Sequence, residues 1–167
     1  MALLFSLYFR NFIYKKYHVY KDTIFIIYVL IDIYSFLCND LTFFFIFTFL
    51  ISQAITDYIN QDVLTTLNII PIIYAIIINS NHLLTTILYA SIFPFALLII
   101  NKFKTLIGMG DIEIIFVLGL YFKYEKLLLI VLISSLINLI YSFFVKKNKY
   151  SFVPFILIAT FLVYFFI

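Results

Sequence analysis

A chain of 167 residues with 66% hydrophobic and only 11% charged residues lies far outside the usual composition of a soluble globular domain. The mean hydropathy of +1.18 predicts an integral membrane protein, and the single cysteine excludes an internal disulfide and a cysteine-rich zinc module. The net charge of +3 is small and argues against nucleic-acid binding, and no pattern in the sequence indicates a metal or another cofactor.

Apolar runs recur from one end of the chain to the other, separated by short polar clusters. Since a helix needs roughly 17 to 25 apolar residues to cross a bilayer, cutting the chain at these clusters predicts seven helical spans. The spans cover approximately residues 23–38, 41–57, 63–79, 83–100, 111–122, 127–145 and 151–167. The predicted fold class is therefore all-α, a polytopic transmembrane helix bundle.

The predicted domain organisation has two parts. A short hydrophobic and basic segment, residues 1–22, precedes one membrane-embedded domain, residues 23–167. Within the first part, residues 1–14 are apolar but too few for a full span, so whether they insert into the membrane stays open.

The basic residues predict the orientation, because lysine and arginine accumulate in short cytoplasmic loops. If residues 10–22 are cytoplasmic, only Lys123 and Lys126 lie on the outer side. The cytoplasmic set is Arg10, Lys15, Lys16, Lys21, Lys102, Lys104, Lys146, Lys147 and Lys149. This orientation brings Asp57 and Asp111 to the cytoplasmic edge of the membrane, at the ends of two predicted helices.

Two carboxylates at the same depth in the membrane suggest a catalytic pair. Carboxyl groups about 3 Å apart share a proton, so one can activate a water while the other protonates a carbonyl, as in aspartic proteases. Asp111 follows Gly108, Met109 and Gly110, and the glycines are predicted to give the backbone conformational freedom and let a substrate chain approach. Gln53, four residues before Asp57 on the same helical face, is placed to orient Asp57 by a hydrogen bond.

Each of these acidic residues also has a plainer interpretation. An aspartate at a helix terminus commonly caps the helix, and Asp62 is predicted to cap the run that follows it. Glu113 either pairs with a cytoplasmic lysine or plays a secondary part in the site. Asp32 lies inside a predicted span, where a charge is expensive, and its role stays open outside the site.

The segment "GMGD" resembles the type IV prepilin peptidases, membrane aspartic proteases that carry a G-x-G-D motif. The family's second catalytic aspartate matches Asp111, and its first matches Asp57 in "TDYINQDVLTTLNIIP". The closing "SFVPFILIATF" is similar to the family's proline-phenylalanine-glycine-proline segment. The chain departs from the family pattern at Glu113, Leu64 and Val153, where a lysine, a proline and a glycine are usual.

The resemblance implies an endopeptidase that cuts the basic leader from type IV prepilins or pseudopilins at the cytoplasmic face of the inner membrane, without a cofactor. It implies a prepilin transmembrane helix and membrane lipid as partners, and Asp62 and Glu113 as candidate contacts for the basic leader. Because the paired cysteines of the family's cytoplasmic domain are absent, it implies a short, protease-only form without methyltransferase activity.

Two other readings stay open: a preflagellin-type peptidase, and a non-catalytic family member or assembly subunit. The pilin cleaved and the oligomeric state are likewise open.

Overall fold

The computed structural model describes residue 11 and residues 21–103, 107–145 and 151–167. The prediction for residues 1–14 concerns a segment that, except for residue 11, is outside the described residues. Most of the basic residues that predict the orientation are also outside them.

The described part of the chain contains seven α-helices, one short 3₁₀ helix at Ser80–His82, and no strand. The α-helices are α1 (Lys21–Cys38), α2 (Leu41–Asn60), α3 (Thr65–Ile78), α4 (Leu83–Phe103), α5 (Met109–Gly119), α6 (Tyr124–Phe144) and α7 (Val153–Phe166). The all-α prediction is confirmed, and each helix coincides with one predicted apolar segment.

The predicted number of full membrane spans is too high. By length and composition, three helical segments of the described residues are long and apolar enough to cross a membrane: Leu41–Asn60, Ser80–Phe103 and Tyr124–Phe144. The segments Ile26–Cys38, Thr65–Ile78 and Val153–Phe166 are apolar but shorter. A 14-residue helix is about 21 Å long, less than the roughly 30 Å of a hydrocarbon core. The sequence count included flanking residues, such as 63–64 and 151–152, that are not helical.

Helix α2 forms the centre of the bundle. Of its most apolar 18-residue window, 72% is buried inside the protein, against 17% for the corresponding windows of α4 and α6. Helix α2 packs against α1, α3 and α7, while α5 packs against α3, α4 and α6. The aromatic run "FFFIF" therefore fills the core, and the large apolar side chains of α4 and α6 are left for lipid.

Helices α2 and α7 are joined at both ends. Asp40 caps α2 by accepting a hydrogen bond of 2.9 Å from the Phe43 amide, and the hydroxyl of Tyr164, near the end of α7, also donates to Asp40. At the opposite end, Asp57 near the end of α2 meets Val153 at the start of α7. The two helices are therefore antiparallel, and the start of α7 is fixed beside the end of α2.

Candidate active site

Asp57 is held by the start of α7. Its side chain is 6% exposed, and its Oδ2 accepts a hydrogen bond of 3.0 Å from the amide of Val153. The main-chain oxygen of Asp57 accepts from the hydroxyl of Ser151 at 2.9 Å and from the amide of Gln61 at 2.8 Å. Gln61 ends α2 in the left-handed conformation, with a φ of 57°. Both the backbone and the carboxylate of Asp57 are therefore fixed.

The start of α7 suits a carboxylate for a general reason. The first amides of a helix have no partner within it, and the helix dipole is positive at this end. The amides of Phe152 and Val153 both act on the Asp57 carboxylate. Pro154 follows within the first turn, where its missing N–H removes no hydrogen bond of the helix. The closing segment "SFVPF" thus provides main-chain donors for Asp57.

Asp111 lies in the first turn of α5, three residues after Gly108, which is the N-cap of that helix. The carboxylate of Asp111 accepts a hydrogen bond from the Gly108 backbone. This contact is one half of a capping box, in which an acidic third residue satisfies the amide of the N-cap. Asp111 therefore supports the start of α5 from within its first turn, whereas the N-cap itself is Gly108.

The fold brings the two aspartates together from separate parts of the chain. The negative charge of Asp57 acts on Asp111, and the charge of the exposed Asp62 acts on Asp57. Asp111 is partly buried at the start of α5, and Asp57 is buried near the end of α2. The two carboxylates therefore lie within electrostatic range of each other, at helix ends that approach through Gly110 and Val63.

The glycines before Asp111 do not provide conformational freedom, so that prediction was wrong. No described glycine has a positive φ, and Gly108 has a φ of −62° and a ψ of 143°, which any residue adopts. Gly110 is needed for another reason. A Cβ added there would lie 2.4 Å from the Cβ of Val63, in the loop after α2. Gly110 therefore lets the start of α5 pack directly against the loop that follows Asp57.

Gln53 is not the residue that orients Asp57. Its Nε2 donates to the carbonyl of Leu64 and to Oδ1 of Asn68, each at 2.8 Å, and its Oε1 accepts from the Leu64 amide at 3.0 Å. The loop after α2 folds back over this fully buried side chain, and its backbone groups take both ends of the amide. Gln53 therefore fixes the loop of residues 61–64, which contacts α5 through Val63.

Asp62 does not cap α3. Helix α3 begins at Thr65, and its N-cap is Leu64, whose apolar side chain makes no capping hydrogen bond. Asp62 lies two residues before this N-cap and is exposed, so it is outside the capping position. Its described interaction is with the charge of Asp57.

Glu113 lies away from the pair. Residues two positions apart in a helix are separated by about 200° around its axis. Glu113 and Asp111 therefore face opposite sides of α5. Glu113 accepts a hydrogen bond of 2.9 Å from Nδ2 of Asn68, a buried residue of α3 that the sequence prediction did not assign to the site. A polar residue within an apolar helix was the only sequence signal for Asn68. Met109 is 61% exposed at the start of α5.

No cluster of three or more potential metal ligands occurs in the part of the chain that the structure describes. The candidate site comprises the two carboxylates, the start of α7, the start of α5 and the loop after α2.

The fold and site together define a helical membrane protein with a carboxylate pair where two helices end. The model of the type IV leader peptidase family matches residues 43–143, which contain both Asp57 and Asp111, and the chain belongs to this family. The predicted family is thereby confirmed. No curated protein and no solved structure matches the chain.

Proposed function

We propose that this protein is a membrane aspartic endopeptidase that removes the leader peptide from type IV prepilins or pseudopilins at the cytoplasmic face of the inner membrane. The observation that carries the proposal is the pairing of Asp57 and Asp111 at the ends of two helices, within the segment matched by the family. The family supports peptide-bond cleavage in general, and the pair supports the aspartic chemistry.

The proposed reaction needs only the two carboxyl groups and a water molecule. The ionised carboxylate removes a proton from the water, whose oxygen attacks the carbonyl carbon of the scissile peptide, while the protonated partner donates its proton to the carbonyl oxygen. When the tetrahedral intermediate breaks its C–N bond, the protonated carboxyl group donates its proton to the leaving amine, and the other carboxylate removes a proton from a hydroxyl of the intermediate. The pair ends with one shared proton, as it began.

The surroundings of the pair suit a substrate that reaches it from the membrane edge. Tyr58 and Asp62, which follow Asp57 in the chain, and Gly108 and Met109, which precede Asp111, are all exposed. Their exposure supports access to the pair from this side. The cytoplasmic orientation rests on the distribution of lysine and arginine in the sequence. A basic leader on that side would meet the exposed charge of Asp62.

The test is co-expression of a candidate prepilin with the wild-type protein, Asp57→Asn or Asp111→Asn, read as the gel shift that accompanies leader removal. Glu125→Gln is the control, since it removes an exposed acidic residue at the start of α6 that belongs neither to the pair nor to the proposed leader contacts. We expect cleavage by wild type, retained cleavage by the control, and none by either pair variant at equal membrane expression. Equal processing by all four proteins would refute the dyad.

One observation favours a second candidate, a non-catalytic family member in which the aspartates are structural. Asp111 makes a capping contact with Gly108, which stabilises α5 with or without catalysis. Thermal unfolding of the purified Asp111→Asn variant in detergent separates the two roles. A variant that loses cleavage without a lower melting temperature supports catalysis. A wild-type protein that cleaves no prepilin or preflagellin, together with a destabilised variant, supports the structural role.

A further inference from the structure

An apolar groove of about 450 Å³ lies between α3, α4 and α5. The α5 residues that line it follow the spacing i, i+3, i+4, i+7, i+8, which is one face of a helix. They are Met109, Ile112, Glu113, Phe116 and Val117. Asp111 belongs to the opposite face. The groove and the carboxylate pair therefore lie on two sides of the same helix, and they are separated only by its first turn.

Glu113 is the one acidic residue that lines the groove, and no described lysine or arginine lines it. A chain of hydrogen bonds fixes the orientation of the Asn68 side-chain amide, which donates to Glu113. The Leu64 amide donates to Oε1 of Gln53, so Nε2 of Gln53 faces Oδ1 of Asn68, and Nδ2 of Asn68 is left to donate to Glu113. A lysine at this position, usual in the family, would face a donor, whereas a carboxylate fits.

A carboxylate in an apolar groove within a membrane protein favours an occupant that brings a cation or another hydrogen-bond donor. We infer that the groove between α3, α4 and α5 receives the apolar helix of the peptidase substrate, and that Glu113 selects substrates with a lysine or arginine near the start of that helix. The inference rests on the proposed function. Glu113 is then a specificity-determining residue, distinct from the pair that cleaves.

The dimensions of the groove are consistent with this occupant. From Met109 to Val117 the α5 axis rises about 12 Å, the length of two turns of a substrate helix. Ile69 and Phe95, on the two walls, are 54% and 63% exposed, so the groove is open to an incoming helix. A substrate chain leaving the groove at Met109 passes the exposed Gly108 and reaches Asp111 around the start of α5.

The position of Glu113 predicts where the cation lies in the substrate. Glu113 is four residues beyond Met109, or about 6 Å along the α5 axis. If the scissile bond lies at the start of α5, the complementary lysine or arginine lies about four residues into the substrate helix. The same relation predicts that an acidic residue at that point weakens binding, because two carboxylates would then face each other.

Photo-crosslinking tests the docking site separately from cleavage. Benzoylphenylalanine is introduced at Ile69 in the Asp57→Asn variant, so that the expected loss of cleavage leaves the reporter intact. It is introduced at Ile140 of the same variant as a control. Ile140 on α6 has nearly the same exposure, 57% against 54%, and lies about as far from the cytoplasmic end of its helix. The reporter carries a basic leader followed by an apolar helix. We expect a crosslink to the reporter from Ile69 and none from Ile140. A crosslink from Ile69 only to lipid, or none, would overturn the docking site.

Cleavage of paired reporters tests the selectivity. One reporter has lysine and the other has leucine at the third to sixth residues of the apolar helix, and they are otherwise identical. The cleavage rates of the two reporters are compared for the wild-type protein, Glu113→Gln and Glu125→Gln. Glutamine keeps an acceptor for Asn68 without the charge, and Glu125 is an exposed acidic residue at the start of α6. We expect the lysine reporter to be favoured about tenfold by wild type and by Glu125→Gln. Glu113→Gln should bring the ratio to about one.

The two experiments fail in different ways. A crosslink from Ile69 without cleavage of any reporter would overturn the peptidase function and leave the groove as a binding site for apolar helices. Cleavage with equal rates for both reporters in wild type would overturn the role of Glu113 and leave the peptidase function standing.

Discussion

The replacement Gly110→Ala tests whether the direct contact between α5 and the loop after α2 positions Asp111. The added Cβ would lie 2.4 Å from the Cβ of Val63, 2.7 Å from Cγ2 and 3.1 Å from Cγ1. The position of a Cβ is fixed by the backbone, so a rotation of the Val63 side chain cannot relieve the closest contact. Ordinary contact begins at 3.4 Å, and the two backbones must therefore separate by about 1 Å.

The expected magnitudes follow from that displacement. Overpacking of a well-packed contact costs about 1 to 3 kcal/mol, and the better helix propensity of alanine offsets up to about 1 kcal/mol of this. The effect on cleavage should be larger, because a displacement of about 1 Å in a catalytic group can cost roughly 100-fold in rate. We expect a folded Gly110→Ala protein with a slightly lower melting temperature and about 100-fold slower leader removal.

A second substitution identifies the responsible contact. In a Gly110→Ala background, Val63→Ala keeps the Cβ at 2.4 Å and should restore little activity, while Val63→Gly removes that atom and should restore most of it. The single Val63 variants complete the double-mutant cycles and account for effects on the loop itself. The assays are the prepilin gel shift and thermal unfolding in detergent. Wild-type cleavage by Gly110→Ala, or equal recovery with both Val63 variants, would refute the reasoning.

Three further predictions concern the contacts that hold the bundle and the site. Gly119→Ala should lower stability by about 1 to 3 kcal/mol in detergent unfolding, since its Cβ would lie 2.9 Å from Cα of Ala90, yet change cleavage per folded molecule little. Tyr164→Phe, which removes a hydrogen bond at the N-cap of α2, should likewise lower the melting temperature without changing the cleavage rate. Replacing Val153 by its α-hydroxy acid deletes one amide donor to Asp57 and should slow cleavage about tenfold or more, and unchanged cleavage would exclude a role for this donor.

Much of the fold could be predicted because local patterns determine it. The apolar runs and the polar clusters between them gave all seven described helices, and the two aspartates stood out as carboxylates at helix ends. The wrong predictions concern residues whose contacts depend on a distant part of the chain. Gln53 is spaced to reach Asp57, but the backbone groups of Leu64 take its amide, since buried polar groups left unpaired are costly. The contact between Gly110 and Val63 leaves no trace in the sequence near either residue.

The hydrogen bond to Asp57 explains why valine at position 153, where the family usually has glycine, does not disturb the candidate site. The family match ends at residue 143, yet the amide that binds the Asp57 carboxylate belongs to Val153, where a glycine was expected. Because the donor is a main-chain N–H, every residue except proline can supply it, and the side chain is free to serve another purpose. The Val153 side chain is fully buried and joins the apolar core shared by α2 and α7. Replacing glycine by valine therefore keeps the hydrogen bond and adds buried apolar surface that fixes the start of α7 beside the carboxylate.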